Sequence, residues 1–111
     1  MGVALLVAAL GVAGCPKRTT IGEITSDPGR FRDKDVAVVG RVVTSYGALD
    51  KGIFEIDDGT GRIWVLSEKY GVPNQGAEVG VSGRLISGVS YGGRTFGTVL
   101  REKDRRSRGS R

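Results

Sequence analysis

Two stretches of this chain carry one pattern, and it restricts the fold more than any other feature. Val36-x-Val38-x-Gly40-Arg41-Val42-Val43 returns as Val79-x-Val81-x-Gly83-Arg84-Leu85-Ile86. Alternating β-branched residues mark strands. A glycine in mid-strand weakens it, so glycine is found there when the strand must bend or bulge. A pair of long, bent strands suits a small barrel, in which each strand has to coil to close the wall. Two copies in so short a body do not make a repeat array.

The segments around this pair complete an all-β order. Gly52-Ile-Phe-Glu-Ile-Asp57 and Gly61-Arg-Ile-Trp-Val-Leu-Ser67 flank Asp58-Gly59-Thr60, which predicts a tight hairpin because Asp-Gly supplies positive φ cheaply. Phe54 and Ile56, then Ile63 and Val65, define an apolar face, and Glu55, Arg62 and Trp64 fall on the other. Ahead of the first strand, Thr20 and Glu23 match a capping box for a short helical turn, which Asp27-Pro28-Gly29 ends. Ile21, Ile24 and Phe31 are placed to pack it on the body. A Gly/Pro/Asn-rich connector (Tyr70 to Ala77) precedes the strand Glu78–Ser87, a glycine-rich loop (Gly88 to Gly93) and a last strand from Arg94 to about Glu102. The reading is one domain over residues 21–101 with a basic, disordered tail at 102–111.

Composition bears on chemistry. No histidine is present, which removes the commonest metal ligand and the usual general base. One cysteine, Cys15, allows no internal disulfide. Neither an enzyme, a metal nor a cofactor is expected. Asp57-Asp58-Gly59-Thr60-Gly61 lacks the ligand spacing and distal glutamate of a calcium loop and reads as the hairpin turn. The glycines of 88–93 lack the lysine of a phosphate cradle and precede a strand. The net charge of +5 is uneven: Thr19–Leu100 holds nine basic and ten acidic residues, so the excess sits at Lys17, Arg18 and the segment after Leu100. Basic ends are usually solvated, so the expected body has no charge-based reason to hold a polyanion.

The chain begins with fourteen uncharged, mostly apolar residues that stop at Cys15. That is too short to span a bilayer as a helix, which takes ~20 residues, and it has the length of a secretory core segment. Val12-Ala13-Gly14-Cys15 resembles the lipobox of bacterial lipoproteins. The resemblance implies a signal peptide at 1–14, lipidation of Cys15 with acyl chains such as palmitate, and a tether at 15–20. It also implies a lipid-anchored protein of the bacterial cell envelope. Stable anchoring takes two or more acyl chains.

The order of helical turn, bent strand, hairpin, loop, bent strand and final strand resembles a bacterial OB-fold domain. The piece that carries this is Val36-x-Val-x-Gly-x-Val, followed by Phe54-x-Ile56-x-Asp58-Gly59-Thr60-Gly61-x-Ile63-x-Val65. It is similar to the tRNA-anticodon-type nucleic-acid-binding OB domains and to small envelope proteins on the same barrel. The resemblance implies a five-stranded Greek-key barrel that binds on its second and third strands and the loops beside them. Haem-chaperone OB proteins use a histidine, so that activity is not carried over. Trp64 becomes the candidate stacking residue. Arg62 and Arg41 are candidate flanking cations, and Tyr46 and Tyr91 candidate loop contacts. Glu55 on the same face would repel phosphate. The expected function is a non-catalytic, membrane-anchored binding module for an envelope protein, peptide or glycan, with a single-stranded nucleic-acid-binding OB domain as the alternative.

Overall fold

The wall of the barrel closes because one strand changes partner halfway along. In the computed structural model, which describes residues 17–48 and 50–108, strand β2 (Asp35–Ala48) pairs by its first half with β5 (Glu78–Tyr91) and by its second half with β3 (Lys51–Asp57), both antiparallel. The switch falls at Arg41, in register with both Glu78 and Asp57. Gly40 stands beside it, and a Cβ there would lie 2.9 Å from the Asp57 carbonyl oxygen. Any side chain at this position would hold the two strands apart.

β3 continues by a hairpin into β4 (Arg62–Ser67), β4 pairs in parallel with β6 (Arg94–Arg108), and β6 pairs with β5. The closed circuit β2-β3-β4-β6-β5-β2 is a five-stranded, OB-type barrel, as the sequence implied. Gly83 marks the second bend. The register slips between Ser82 and Gly83, and a Cβ at Gly83 would run into the Arg101 carbonyl. The two mid-strand glycines thus sit where a neighbouring backbone approaches closely.

A two-residue strand, β1 (Lys17–Arg18), lies parallel to Val36–Ala37 and leads into helix α1 (Ile21–Ser26). The capping box forms: the Thr20 side chain accepts from the Glu23 N–H, and the Glu23 carboxylate accepts from the Thr20 N–H. Asp27 ends α1, and Pro28 then starts a second short helix, α2 (Pro28–Phe31), where its missing N–H costs nothing. Ile21 and Ile24 are fully buried and join Val38, Phe54, Ile56, Val65, Val79, Val81, Leu85 and Leu100 in the barrel core. Burying each such side chain contributes roughly 1.5–3 kcal/mol.

Three expectations are corrected. The segment after Glu102 is not a disordered tail through its described residues. It continues β6 to Arg108, paired with β5 back to Glu78. A bulge explains this: Ser82 pairs with Asp104 and Gly83 with Glu102, so Lys103 is the extra residue. That shift turns both Glu102 and Arg105 toward the barrel end. There the Glu102 carboxylate takes Arg105 Nε at 2.6 Å and Nη2 at 2.8 Å, and Arg105 also donates to Ser67 Oγ and the Gly71 carbonyl. Lys103 pairs with Asp35 at 3.1 Å and Arg101 with Glu68 at 3.3 Å, so bases of the last segment meet acids of the body. The expected loop 88–93 is reduced to a Gly92-Gly93 turn, both at positive φ, with strand up to Tyr91 and from Arg94. Within the expected tether, Lys17 and Arg18 are strand. The leader-like run and Cys15 lie outside the described residues. Among those described, no helix is long and apolar enough to cross a membrane.

Candidate ligand-binding face

The outer face of β3 and β4 carries a second apolar cluster, separate from the core. Phe54 and Ile56 point inward, so Ile53 and Glu55 point out. Likewise Ile63 and Val65 point inward and leave Trp64 and Leu66 outside. The β5–β6 hairpin adds Ile86, Val89, Tyr91, Phe96 and Val99. Ile53, Phe96 and Val99 are buried beneath this layer. This layer packs the β5–β6 hairpin against the outside of β3 and β4.

The aromatic rings form a graded series. Phe96 is buried. Trp64 is half-buried, its ring centre 4.9 Å from that of Phe96, tilted by 57°. Tyr46 stacks on Trp64 at 6.2 Å and 18°, within the range of offset stacking. Tyr46 is 52% exposed and is the ring that faces solvent. Tyr46 reaches this position from β2, past a bulge at Val43 that lets Val42 pair with Ile56 and Thr44 with Glu55. Beside it, Tyr46, Ile53, Tyr91, Gly92, Arg94 and Phe96 line a cleft of about 210 Å³. Sites for drug-sized molecules run to ~300–1,000 Å³, so this cleft takes one ring and not a whole ligand of that size.

Arg94 completes the site. Its guanidinium carbon is 5.5 Å from the Trp64 ring centre and 5.0 Å from that of Phe96. It forms no ion pair among the described residues. Its charge is thus available, and it is held over the aromatic series by cation–π attraction.

Of the residues expected from sequence, Trp64, Tyr46 and Tyr91 come together here. Trp64 lies between the Phe96 and Tyr46 rings, and Tyr46 has the open face. Arg62 shares the outer face but is held by Asp57, Nε to Oδ2 at 3.0 Å. The Gly59 N–H, then Arg62, keep the Asp57 carboxyl below the usual carboxylate range. Arg41 is exposed at the partner switch and does not line the cleft. Sequence reasoning missed Arg94, Phe96 and Ile53. Ile53 did leave a signal, since it is an aliphatic residue at a position whose strand neighbours Glu55 and Asp57 face solvent. Another trough, of about 260 Å³, is floored by Ala37, Val39 and Gly80 and presents no aromatic ring. Among the described residues no three His, Cys, Asp or Glu gather as a metal site.

No protein-family model matches the chain, and no curated protein sequence matches it either. Solved structures do. A protein assigned as an aspartyl-tRNA synthetase from Leishmania major Friedlin superposes with TM-score 0.62 at 16% identity, over 81% of this chain and 20% of that one. The chain thus spans about a fifth of that protein. An OBody bound to hen egg-white lysozyme gives 0.54 at 14% identity, over 70% of this chain and 84% of that one. The Stn1–Ten1 complex of S. pombe gives 0.52 at 16% identity, over 68% and 59%. Likeness at this identity establishes the OB-type fold.

Proposed function

We propose that this domain binds single-stranded nucleic acid on the outer face of β3 and β4, without catalysis, and mainly by stacking. The observation that carries the reading is the exposed Tyr46 ring, stacked on Trp64 beside a one-ring cleft with Arg94 over the same rings. Every base has a π-face, and stacking on an aromatic side chain contributes ~1–3 kcal/mol per base. The likeness to an aspartyl-tRNA synthetase, a protein named for tRNA, favours this ligand over a membrane-surface role. Cations without an acidic partner are few on this face, so the salt dependence should be shallow. With one to three phosphate contacts, the slope of log K against log salt is about −0.7 to −2.

Trp64 is the only tryptophan, so its fluorescence reports this face directly. A thymine homo-oligomer of about ten nucleotides should quench it, and Tyr46→Ala should weaken that binding about 10-fold. Unchanged Trp64 fluorescence up to millimolar oligomer would end the reading.

A second reading has its own support. Another chain of this fold is bound to a protein, lysozyme, and an aromatic cleft also suits a protein side chain. Joined to the lipobox-like Val12–Cys15, it gives a lipid-anchored envelope module for a protein, peptide or glycan. Mass spectrometry of the native N-terminus tests the anchor, and an unmodified Cys15 would remove it.

A further inference from the structure

A face that binds nucleic acid carries one residue that looks misplaced. Glu55 projects outward beside the aromatic cleft and is not among the residues that line it. It is paired in register with Trp64 on β4 and with Thr44 on β2, so it lies between the strands that supply the two stacked rings. Neither of those cross-strand neighbours is basic. The nearby acid of the same strand, Asp57, is taken by Arg62 and by the Gly59 N–H. Glu55 makes no ion pair and no hydrogen bond among the described residues, and it is only half exposed. An acid so placed keeps phosphate away from this row of the face. What remains for it to meet is the edge of a base.

We propose that Glu55 is a specificity residue that selects guanine, a proposal that rests on the nucleic-acid reading above. The cleft floor is Ile53, two residues along the same strand from Glu55. Residues two apart on one strand face lie about 6.5–7 Å apart, a span that a glutamate side chain and one hydrogen bond can cross. A base resting over Ile53 against Tyr46 therefore presents its edge to the carboxylate. A carboxylate only accepts, and its two oxygens match two adjacent donors. Guanine alone offers such a pair on its Watson–Crick edge, N1–H beside the 2-amino group. Adenine and cytosine each set one donor beside an acceptor. Thymine and uracil set one N–H between two carbonyl oxygens, which the carboxylate repels. Two charge-assisted bonds form only with guanine.

The experiment uses the protein and Trp64 fluorescence with three oligomers of about ten nucleotides: all thymine, thymine with one central guanine, and thymine with one central hypoxanthine. Hypoxanthine keeps N1–H and lacks the 2-amino group. The guanine oligomer should bind roughly 10-fold tighter than the thymine one, and hypoxanthine should forfeit most of that gain. Glu55→Gln replaces one acceptor by a donor. It should abolish the guanine preference and leave thymine binding equal or tighter, which a misfolded variant would not do. Equal affinity for guanine and thymine in the wild type overturns the proposal, as does a guanine preference that survives Glu55→Gln. Those outcomes leave the nucleic-acid reading standing. Failure of all three oligomers to bind removes that reading and this proposal with it.

Discussion

Arg105 and Arg94 each lie over two aromatic rings and serve different ends. Arg105 sits 4.9 Å from the Phe54 ring centre and 5.9 Å from that of Tyr70, and Arg94 sits 5.5 Å from Trp64 and 5.0 Å from Phe96. The rings therefore do not distinguish them. Burial and partners do. The Arg105 side chain is 11% exposed and meets Glu102, Ser67 Oγ and the Gly71 carbonyl. Arg94 is exposed and has no carboxylate partner among the described residues. A buried cation has to be answered inside the protein, because its lost hydration is worth several kcal/mol. An exposed one retains water that a ligand can replace. The closed end of the barrel is therefore structure, and the aromatic face is available for work.

Glu102→Ala is the most severe test of that contrast. The Glu102 side chain has no exposure. Removing it leaves the Arg105 guanidinium without its counter-charge and loosens the clamp on Gly71, at the start of the connector between β4 and β5. Urea unfolding should show a loss of about 3–5 kcal/mol. Replacing both partners by apolar residues, Glu102→Leu with Arg105→Met, should cost much less than Glu102→Ala alone. A loss below about 1 kcal/mol for Glu102→Ala would place this pair with ordinary surface ion pairs and erase the distinction.

The clasp between α1 and the β3–β4 turn offers a milder probe of the structural side. The Asp58 carboxylate accepts from the Ile21 N–H at 2.9 Å, the Thr60 N–H at 2.9 Å and Thr60 Oγ1 at 2.6 Å. Burial pushes its titration upward, but the backbone N–H of Ile21 and the Thr60 hydroxyl and N–H outweigh it and leave the group below its ordinary value. A carboxyl depressed in the folded state contributes stability that is present above the unfolded value, about 3.9. That contribution is lost as pH falls through the lower folded value. Asp58→Asn should thus lower the urea midpoint at neutral pH, and the gap from wild type should close as pH falls through the lowered folded value of the Asp58 carboxyl. A gap that stays constant with pH would mean that the clasp depends on shape and not on charge.

Local chemistry was readable in the chain; tertiary pairing was less so. The capping box of Thr20 and Glu23, the Asp58-Gly59 turn and the inward alternation of Phe54 and Ile56 are each set within a few residues, and each formed. Gly40 and Gly83 were also legible as special positions, where a strand must bend or bulge, and each lies close against a neighbouring backbone. The end of β6 was not. Residues 101–108 lack an apolar alternation, and Glu102 and Arg105 are three apart, which in a regular strand puts them on opposite faces. The bulge at Lys103 brings them to one side, and nothing local announces it. The same limit applied to the site. Trp64, Tyr46 and Tyr91 were visible as aromatics near one face. Arg94 and Phe96 gained meaning only when the β5–β6 hairpin laid them over Trp64.

Arg94 gives the smallest effect and the sharpest discrimination. Its loss should hardly touch folding, since an exposed cation–π contact is worth about 0.5–1 kcal/mol. Arg94→Ala should weaken oligonucleotide binding by a few-fold and make the slope of log K against log salt shallower by about 0.7, the share of one phosphate on a single strand. Arg94→Lys separates the two contributions. Lysine keeps the charge, and with it the salt slope, but its ammonium cannot lie flat on an indole as a guanidinium does. Wild-type slope with incomplete recovery of affinity would show that Arg94 acts both as a charge and as a stacked plane. Full recovery by lysine would reduce it to a point charge, and the resemblance to Arg105 would then be one of position alone.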